Sequence, residues 1–271
     1  MNASVDLYDS HYGRLDDDIY QSIRAETFGV DLGQESWITA DECDEFCGWL
    51  EIREGHRLLE IACGSGGVAL RIAEKCGASV VGTDINALAI EAATRRAARM
   101  SIGGTREFLT CDADGPLPFP DRSFDVVLCN DAINHFKDRL AVLREWHRVL
   151  RVGGQCLFSD PVVTTGLVSN AELASRSSIG FFMFSVPGIN DSLLQKAGFR
   201  VDRVVDMTES VVQVSRKWRE ARERRRSALL PLETVSKFEA IQKFLEAVHL
   251  LALERRLSRF VYVGRRVDSV I

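Results

Sequence analysis

The chain has 271 residues, room for one large α/β domain with a helical elaboration but not for a separate second fold. Its composition, 46% apolar and 27% charged, is that of a soluble globular protein, and no apolar run approaches the roughly 18 residues that cross a bilayer, so no membrane role is expected. A net charge of −5 disfavours nucleic-acid binding, which relies on clustered Lys and Arg to neutralise phosphates.

Residues 1–57 begin as an irregular acidic and aromatic segment and continue into a helix expected over 40–50, a lead suited to covering a pocket. The opening residues lack a basic stretch followed by an apolar one, so the expected location is cytoplasmic. From 58 to 161, short apolar runs alternate with amphipathic stretches, the pattern of a parallel sheet with crossover helices. Strands are expected at 57–62, 79–84, 124–129 and 154–160, with a weaker one at 106–111. Helices with apolar spacing near 3.6 are expected over 68–75, 87–100 and 139–150. A helix over 189–197 then ends at Gly198, followed by a strand-like 199–207, a long basic and apolar helical region over 213–253 and a last strand at 258–264. The fold class is therefore α/β, a doubly wound, mostly parallel seven-stranded sheet in one domain, with its ligand crevice at the carboxyl ends of the strands. Within that domain we read an N-terminal lid over 1–50, a cofactor-binding core over 51–162, a substrate-side helical elaboration over 163–257 and the last strand and tail over 258–271.

The seven cysteines are scattered, with no Cys-x-x-Cys pair and no His at zinc spacing, so no metal site is expected. Cys43 and Cys47 share a helical face, and packing accounts for them. The basic run 216–226 is interleaved with Glu220 and Glu223, which fits a solvated helix face carrying i,i+3 and i,i+4 ion pairs rather than an anion-binding patch.

Residues 58–67, Leu-Leu-Glu-Ile-Ala-Cys-Gly-Ser-Gly-Gly, close an expected strand and open an expected helix, so glycines fall where the backbone turns sharply and approaches a ligand. Such a turn suits a dinucleotide as well as a sulfonium nucleoside. Glu60 favours the second, because its carboxylate attracts a cationic moiety and repels a pyrophosphate. Ala62 also replaces the first glycine of the dinucleotide fingerprint, whose third glycine is absent at its usual offset. Asp84 closes the second strand, where a carboxylate accepts from ribose hydroxyls, a feature common to both ligand classes. Asp112 follows the weaker strand at the crevice, placed either to accept from an adenine amino group beside the Ala113 amide or to form an Asx turn.

Four ordered segments carry a family resemblance: 58–67, the Val-Val-Gly-Thr-Asp-Ile-Asn of 80–86, the Leu-Pro-Phe-Pro-Asp-Arg-Ser-Phe-Asp-Val-Val of 117–127, and the Arg-Val-Leu-Arg-Val-Gly-Gly of 148–154. Together they resemble class I S-adenosylmethionine-dependent methyltransferases, and the resemblance covers roughly 40–162 with a family-like ending. It implies a Rossmann-like methyltransferase fold, S-adenosylmethionine as cofactor and a small-molecule acceptor. Carried over residue by residue, it implies Glu60, Gly64 and Gly66 around the methionine end, Asp84 at the ribose and Asp112 with Ala113 at the adenine. Ala62, Ile85 and Asn130 fall in the same cofactor-binding motifs. Residues 130–138 are similar to the strand-end segment of phosphoethanolamine N-methyltransferases, in which matching Asp and His residues face the substrate. Residues 33–39 look like the lid that folds over the cofactor in enzymes acting on small amines and natural products, which places Gln34, Ser36 and Trp37 at the cofactor.

Methyl transfer is a direct displacement at a carbon already activated by positive sulfur, so positioning and water exclusion are the protein's main tasks. An N or O acceptor also loses a proton, and His135 at the crevice mouth is the candidate base, with Asp131 orienting the imidazole or attracting a cationic acceptor. The other histidines, His11 among them, lie outside any motif and read as surface or packing residues. The aromatic stretch 179–188 reads equally as a wall of an apolar substrate pocket, as core packing or as a homodimer contact. Tyr8, Tyr12 and Tyr20 are all available to grip substrate. Two competing functions remain at this point: a dinucleotide-dependent oxidoreductase, and a methyltransferase acting on RNA or protein.

Overall fold

A computed structural model describes residues 11–100 and 103–267. Tyr8 and the ends of the expected lid and tail, 1–10 and 268–271, lie outside the described residues. Seven strands form one sheet in the order β3-β2-β1-β4-β5-β7-β6. They are β1 Arg57–Ile61, β2 Ser79–Asp84, β3 Arg106–Thr110, β4 Phe124–Cys129, β5 Leu150–Thr164, β6 Phe199–Asp206 and β7 Leu257–Arg266. The first five pair in parallel, and β7 runs antiparallel between β5 and β6.

The central strands are apolar on both faces because helices cover both. Side chains alternate across the sheet, so Leu59, Val81 and Val127 join one core and Leu58, Val80 and Val126 the other. The first core is closed by α5 (Arg139–Val149) through Val142 and Trp146, and by α7 (Ile189–Lys196) through Leu194. The second is closed by α2 (Ala40–Trp49) through Cys43 and Phe46, and by α3 (Gly67–Cys76) through Val68 and Ile72. The α4 crossover, Ala87–Ala98, links β2 to β3. Alternation reverses direction at β1, which lies between β2 and β4, and this opens the crevice at the strand ends.

Three elements depart from the sequence reading. Residues 1–57 are not irregular up to the expected helix, since α1 spans Asp18–Phe28 and buries Tyr20, Ile23 and Phe28. A short helix, α6, spans Asn170–Arg176 behind a Ser169 capping box. The helical region 213–253 divides into α8 Thr208–Arg224, the turn α9 Arg226–Leu229, and α10 Val235–Leu253. Pro231 has no N–H to continue the first run, and the Thr234 hydroxyl starts the next by accepting from Lys237 N at 3.2 Å.

Helices α1, α8 and α10 share a third core around Ile23, Trp218 and Phe238, which caps the strand ends. The basic run is accordingly only partly a solvated face. Arg224 with Glu220 and Arg226 with Glu223 are helix-surface pairs, but Trp218 and Ala221 are buried and Arg222 is paired to Glu233 at 2.6 Å within the third core. Among the described residues no helix is long and apolar enough to cross a membrane.

Candidate active site

A cavity of about 690 Å³ opens beyond the carboxyl ends of β1 to β4, a size suited to a nucleoside-sized ligand with a second small molecule. Its floor is the turn between β1 and α3. The backbone there is left-handed at Ala62 (φ 54°), Gly64 (φ 53°) and Gly66 (φ 71°). At Ala62, which has a side chain, this conformation costs about 1–2 kcal/mol. A Cβ on Gly64 would come within 2.6 Å of the Tyr12 hydroxyl, and one on Gly67 would overlap the Leu32 carbonyl, so the lid rests directly on the turn. The Ser65 hydroxyl ties the two by donating to Gly33 O at 2.9 Å. Gly66 does not line the cavity. It is glycine because the Phe108 ring and the Ala93 methyl would lie within 3 Å of any Cβ, a packing constraint rather than a ligand contact.

Glu60 and Asp84 stand behind this turn. Glu60 is 2% exposed and accepts from Ala69 N at 3.0 Å in the first turn of α3. Burial pushes its carboxyl up to about 8, with Asp84 adding to the rise and the Ala69 amide opposing it. Asp84 accepts from Gly64 N at 2.8 Å and from Asn86 N at 2.9 Å, and burial raises it against those amides. Ile85, 69% exposed, and Ala113 also line the cavity, as does Asp112. Asp112 Oδ1 accepts from Asp114 N at 3.0 Å, so the Asx turn forms while the residue remains on the cavity wall.

The opposite wall is assembled from distant segments. Tyr12 and residues 32–36 of the lid, with Asn130, Asp131, His135 and Phe136, all line it. Tyr20 turns away to donate to Glu233 at 2.8 Å. Gln34 folds back on its own loop, accepting from Leu32 N at 2.8 Å, and the Ser36 hydroxyl accepts from Asn130 Nδ2 at 3.0 Å. The Trp37 indole is absent from the cavity wall, because it packs in the third core against Trp218 and Phe244; its backbone N–H instead donates to Asp131 Oδ2 at 2.9 Å.

Asp131 does not orient His135. Its Oδ1 accepts from Ser159 Oγ and from Arg259 Nε, each at 2.7 Å, in a left-handed conformation with φ 52°. Arg259, wholly buried on β7, also reaches Glu42 at 3.0 Å and Asn130 Oδ1 at 3.2 Å. Burial alone lowers its pKa, but Asp131 and Glu42 outweigh that and hold it above its usual range. His135 Nδ1 instead donates to Phe181 O at 2.8 Å, which leaves the acceptor lone pair on Nε2. Burial lowers the imidazole below its ordinary range, with Arg176 acting the same way and the Phe181 carbonyl opposing. The aromatic stretch 179–188 contributes no residue to the cavity wall; Phe181 is 53% exposed, and the Phe182 ring packs tilted against His135 at 4.9 Å between ring centres. Sequence reasoning missed Arg259, which has no motif, and His11, whose Nδ1 is 2.8 Å from Glu35 Oε2 at the cavity wall.

Residues 59–158 match the family model described as a methyltransferase domain. The chain carries a methyltransferase domain over that span. A 27-O-demethylrifamycin SV methyltransferase of Amycolatopsis mediterranei (strain S699) is 33% identical to this chain over 171 residues, 61% of this chain and 62% of that protein. A phosphoethanolamine N-methyltransferase of Triticum aestivum is 29% identical over 170 residues, 63% of this chain and 33% of that protein. The match thus spans about three-fifths of one relative's length and a third of the other's. The fold is shared with the cyclopropane synthase MmaA2 from Mycobacterium tuberculosis, at TM-score 0.82 and 18% identity over 96% of this chain and 97% of that one. A methyltransferase domain over that span sets aside the dinucleotide oxidoreductase reading.

Two substitutions test the construction of the site. Gly67→Ala forces the Leu32 carbonyl away from the turn, and we expect a loss of about 1–3 kcal/mol in chemical denaturation. Arg259→Leu leaves Asp131 and Glu42 buried without their counter-ion, and the expected loss is larger, about 3–5 kcal/mol. An unchanged denaturation midpoint in either variant contradicts the corresponding account.

Proposed function

We propose that this methyltransferase transfers the methyl group of S-adenosylmethionine to a nitrogen or oxygen atom of a small-molecule acceptor. The observation that carries the choice of atom is His135, an imidazole at the cavity wall whose tautomer is fixed by a backbone carbonyl and whose depressed pKa keeps it neutral. S-adenosylmethionine supplies a carbon already activated by sulfur. In the transfer the sulfur–methyl bond breaks with its electron pair kept by sulfur, the acceptor–methyl bond forms, and the acceptor's proton passes to His135 Nε2.

The residues present fit such a donor. Glu60 is a buried carboxyl that no cation of the described residues neutralises, a match for the methionine ammonium. At Gly64 the absence of a Cβ lets the Tyr12 hydroxyl close directly over the turn that lines the cavity. Asp84, already fixed by two backbone N–H groups, retains lone pairs for the ribose hydroxyls, with Ile85 beside the sugar and base. Asp112 with Ala113 takes the adenine edge, while Ala62, Asn130, Gln34 and Ser36 complete the enclosure. Bound lid residues exclude water from the reacting atoms.

Incubation with methyl-labelled S-adenosylmethionine and the low-mass fraction of a cell extract is expected to label a small molecule; label found in protein or RNA instead would sink the acceptor class. His135→Ala is expected to slow transfer by about 10²–10⁴-fold while S-adenosylhomocysteine binding is retained. Because the neutral imidazole is the base, wild-type turnover rises with pH through an acid limb placed below pH 6.5, and an equal rate in the variant removes His135 from the mechanism.

Glu60 gives a separate test with a pH sign. Its carboxyl ionises less readily folded than unfolded, so the stability it contributes is present below the ordinary carboxyl range and is lost as pH rises through about 8. Glu60→Gln is therefore expected to raise the thermal midpoint of the ligand-free protein at pH 8 but not at pH 4, while weakening S-adenosylhomocysteine about tenfold. Calorimetry in both states checks this, and a variant that binds the ligand as tightly as wild type refutes the ammonium assignment.

A further inference from the structure

Among the described residues, the acidic ones on the cavity wall are Glu35, Glu60, Asp84, Asp112, Asp114 and Asp131, and no Lys or Arg lines it. Glu60, Asp84 and Asp112 face the donor in the reading above. Asp131 is neutralised by Arg259 at 2.7 Å, and Asp114 is exposed, its Oδ1 accepting from Lys137 N at 3.2 Å. That leaves Glu35, whose side chain is only 8% exposed. Its Oε2 is bound by His11 Nδ1 at 2.8 Å, and no described residue donates to Oε1. His11 is itself buried at 7% exposure, and its Nε2 has no partner among the described residues. A histidine here supplies orientation where an arginine would supply a fixed charge.

We propose that Glu35, oriented by His11, is the acceptor-binding carboxylate of the cavity and that the acceptor carries an alkylammonium group. A carboxylate removed from water and left with one free oxygen is stabilised by a cation that brings its own N–H donors. Tyr12 and Phe136 line the same cavity, and aromatic faces add to cation binding. A phosphomonoester in this space meets carboxylates and no fixed positive charge, a juxtaposition that selects against it. The acceptor of this chain therefore differs in charge from the phosphorylated amine named for the Triticum aestivum relative. The inference rests on the methyl-transfer reading for assigning the other carboxylates to the donor.

The test uses the full chain saturated with S-adenosylhomocysteine and titrated calorimetrically with two probes of equal tail length, n-octylammonium chloride and n-octyl phosphate. Wild type is expected to bind the ammonium at least about tenfold more tightly. Glu35→Gln removes that preference and leaves S-adenosylhomocysteine affinity within about threefold of wild type, whereas Asp114→Asn, at an exposed acid, keeps the preference. Equal or tighter binding of octyl phosphate to wild type overturns the proposal without any variant, and so does a Glu35→Gln protein that still prefers the ammonium. Failure of the chain to bind S-adenosylhomocysteine counts against the donor reading instead, and the two probes are then compared on the ligand-free chain.

Discussion

Arg259 sits on the last long strand with no exposure to water, and its guanidinium reaches the end of β4 through Asp131 and Asn130 and the lid helix α2 through Glu42. Burying three charged groups costs several kcal/mol each, and the attraction between them offsets that only when every partner is in place. The cluster therefore behaves as an all-or-none clamp. It sets the separation between lid and sheet, and it fixes the loop that carries His135, because residue 131 is held on both carboxylate oxygens by Trp37, Ser159 and Arg259. Such a carboxylate has no freedom to attend the imidazole four residues on.

The same clamp explains how a crowded turn is tolerated. The β1–α3 connection holds Ala62 in a left-handed conformation and admits no Cβ at Gly67, both unfavourable for an isolated segment. The surrounding structure determines it from two sides: Asp84 takes the Gly64 amide, and the lid lies against the turn with Ser65 bonded to Gly33. Lid and floor are thus mutually dependent. A lid fixed from behind through Glu42 and Trp37 presses on the turn, beside which the buried Glu60 lines the cavity.

Much of the cofactor half was legible in the sequence, because its information is local. The apolar runs of β1, β2 and β4 end at residues that also line the cavity, so motif, strand end and cavity coincide at Glu60, Asp84 and Asn130. Asp112 shows how the two readings of one residue are compatible, since one oxygen makes the turn and the residue still faces the cavity. Legibility ended where contacts are distant. Arg259 lies 128 positions from Asp131 and has no motif around it, so His135, in the same short segment as Asp131, drew the assignment. Helix α1 was hidden because its acidic first turn and aromatic content resemble a loop until α8 and α10 supply the surface that buries Tyr20, Ile23 and Phe28. Trp37 was misplaced for the same reason: its motif fixes the backbone, while a core formed 180 residues later claims the side chain.

This division between near and far has a functional consequence. The side of the cavity proposed for the donor is drawn mainly from 60–68, 84–88 and 111–114, segments at the ends of adjacent parallel strands. The rest of the wall draws on residues 12, 32–36 and 130–136, which hold the proposed acceptor groups Glu35 and His135, with His11 behind the first and Phe181 and Phe182 behind the second. None of the residues in that second layer participates in the strand pairing that defines the fold, so a substitution there alters charge or orientation at Glu35 or His135 while leaving the donor turn intact. On the proposed assignment, acceptor choice rests on residues behind the cavity wall as much as on those on it, and a fold shared at 18% identity with a cyclopropane synthase leaves the acceptor to be argued from side chains such as Glu35 and its buried histidine.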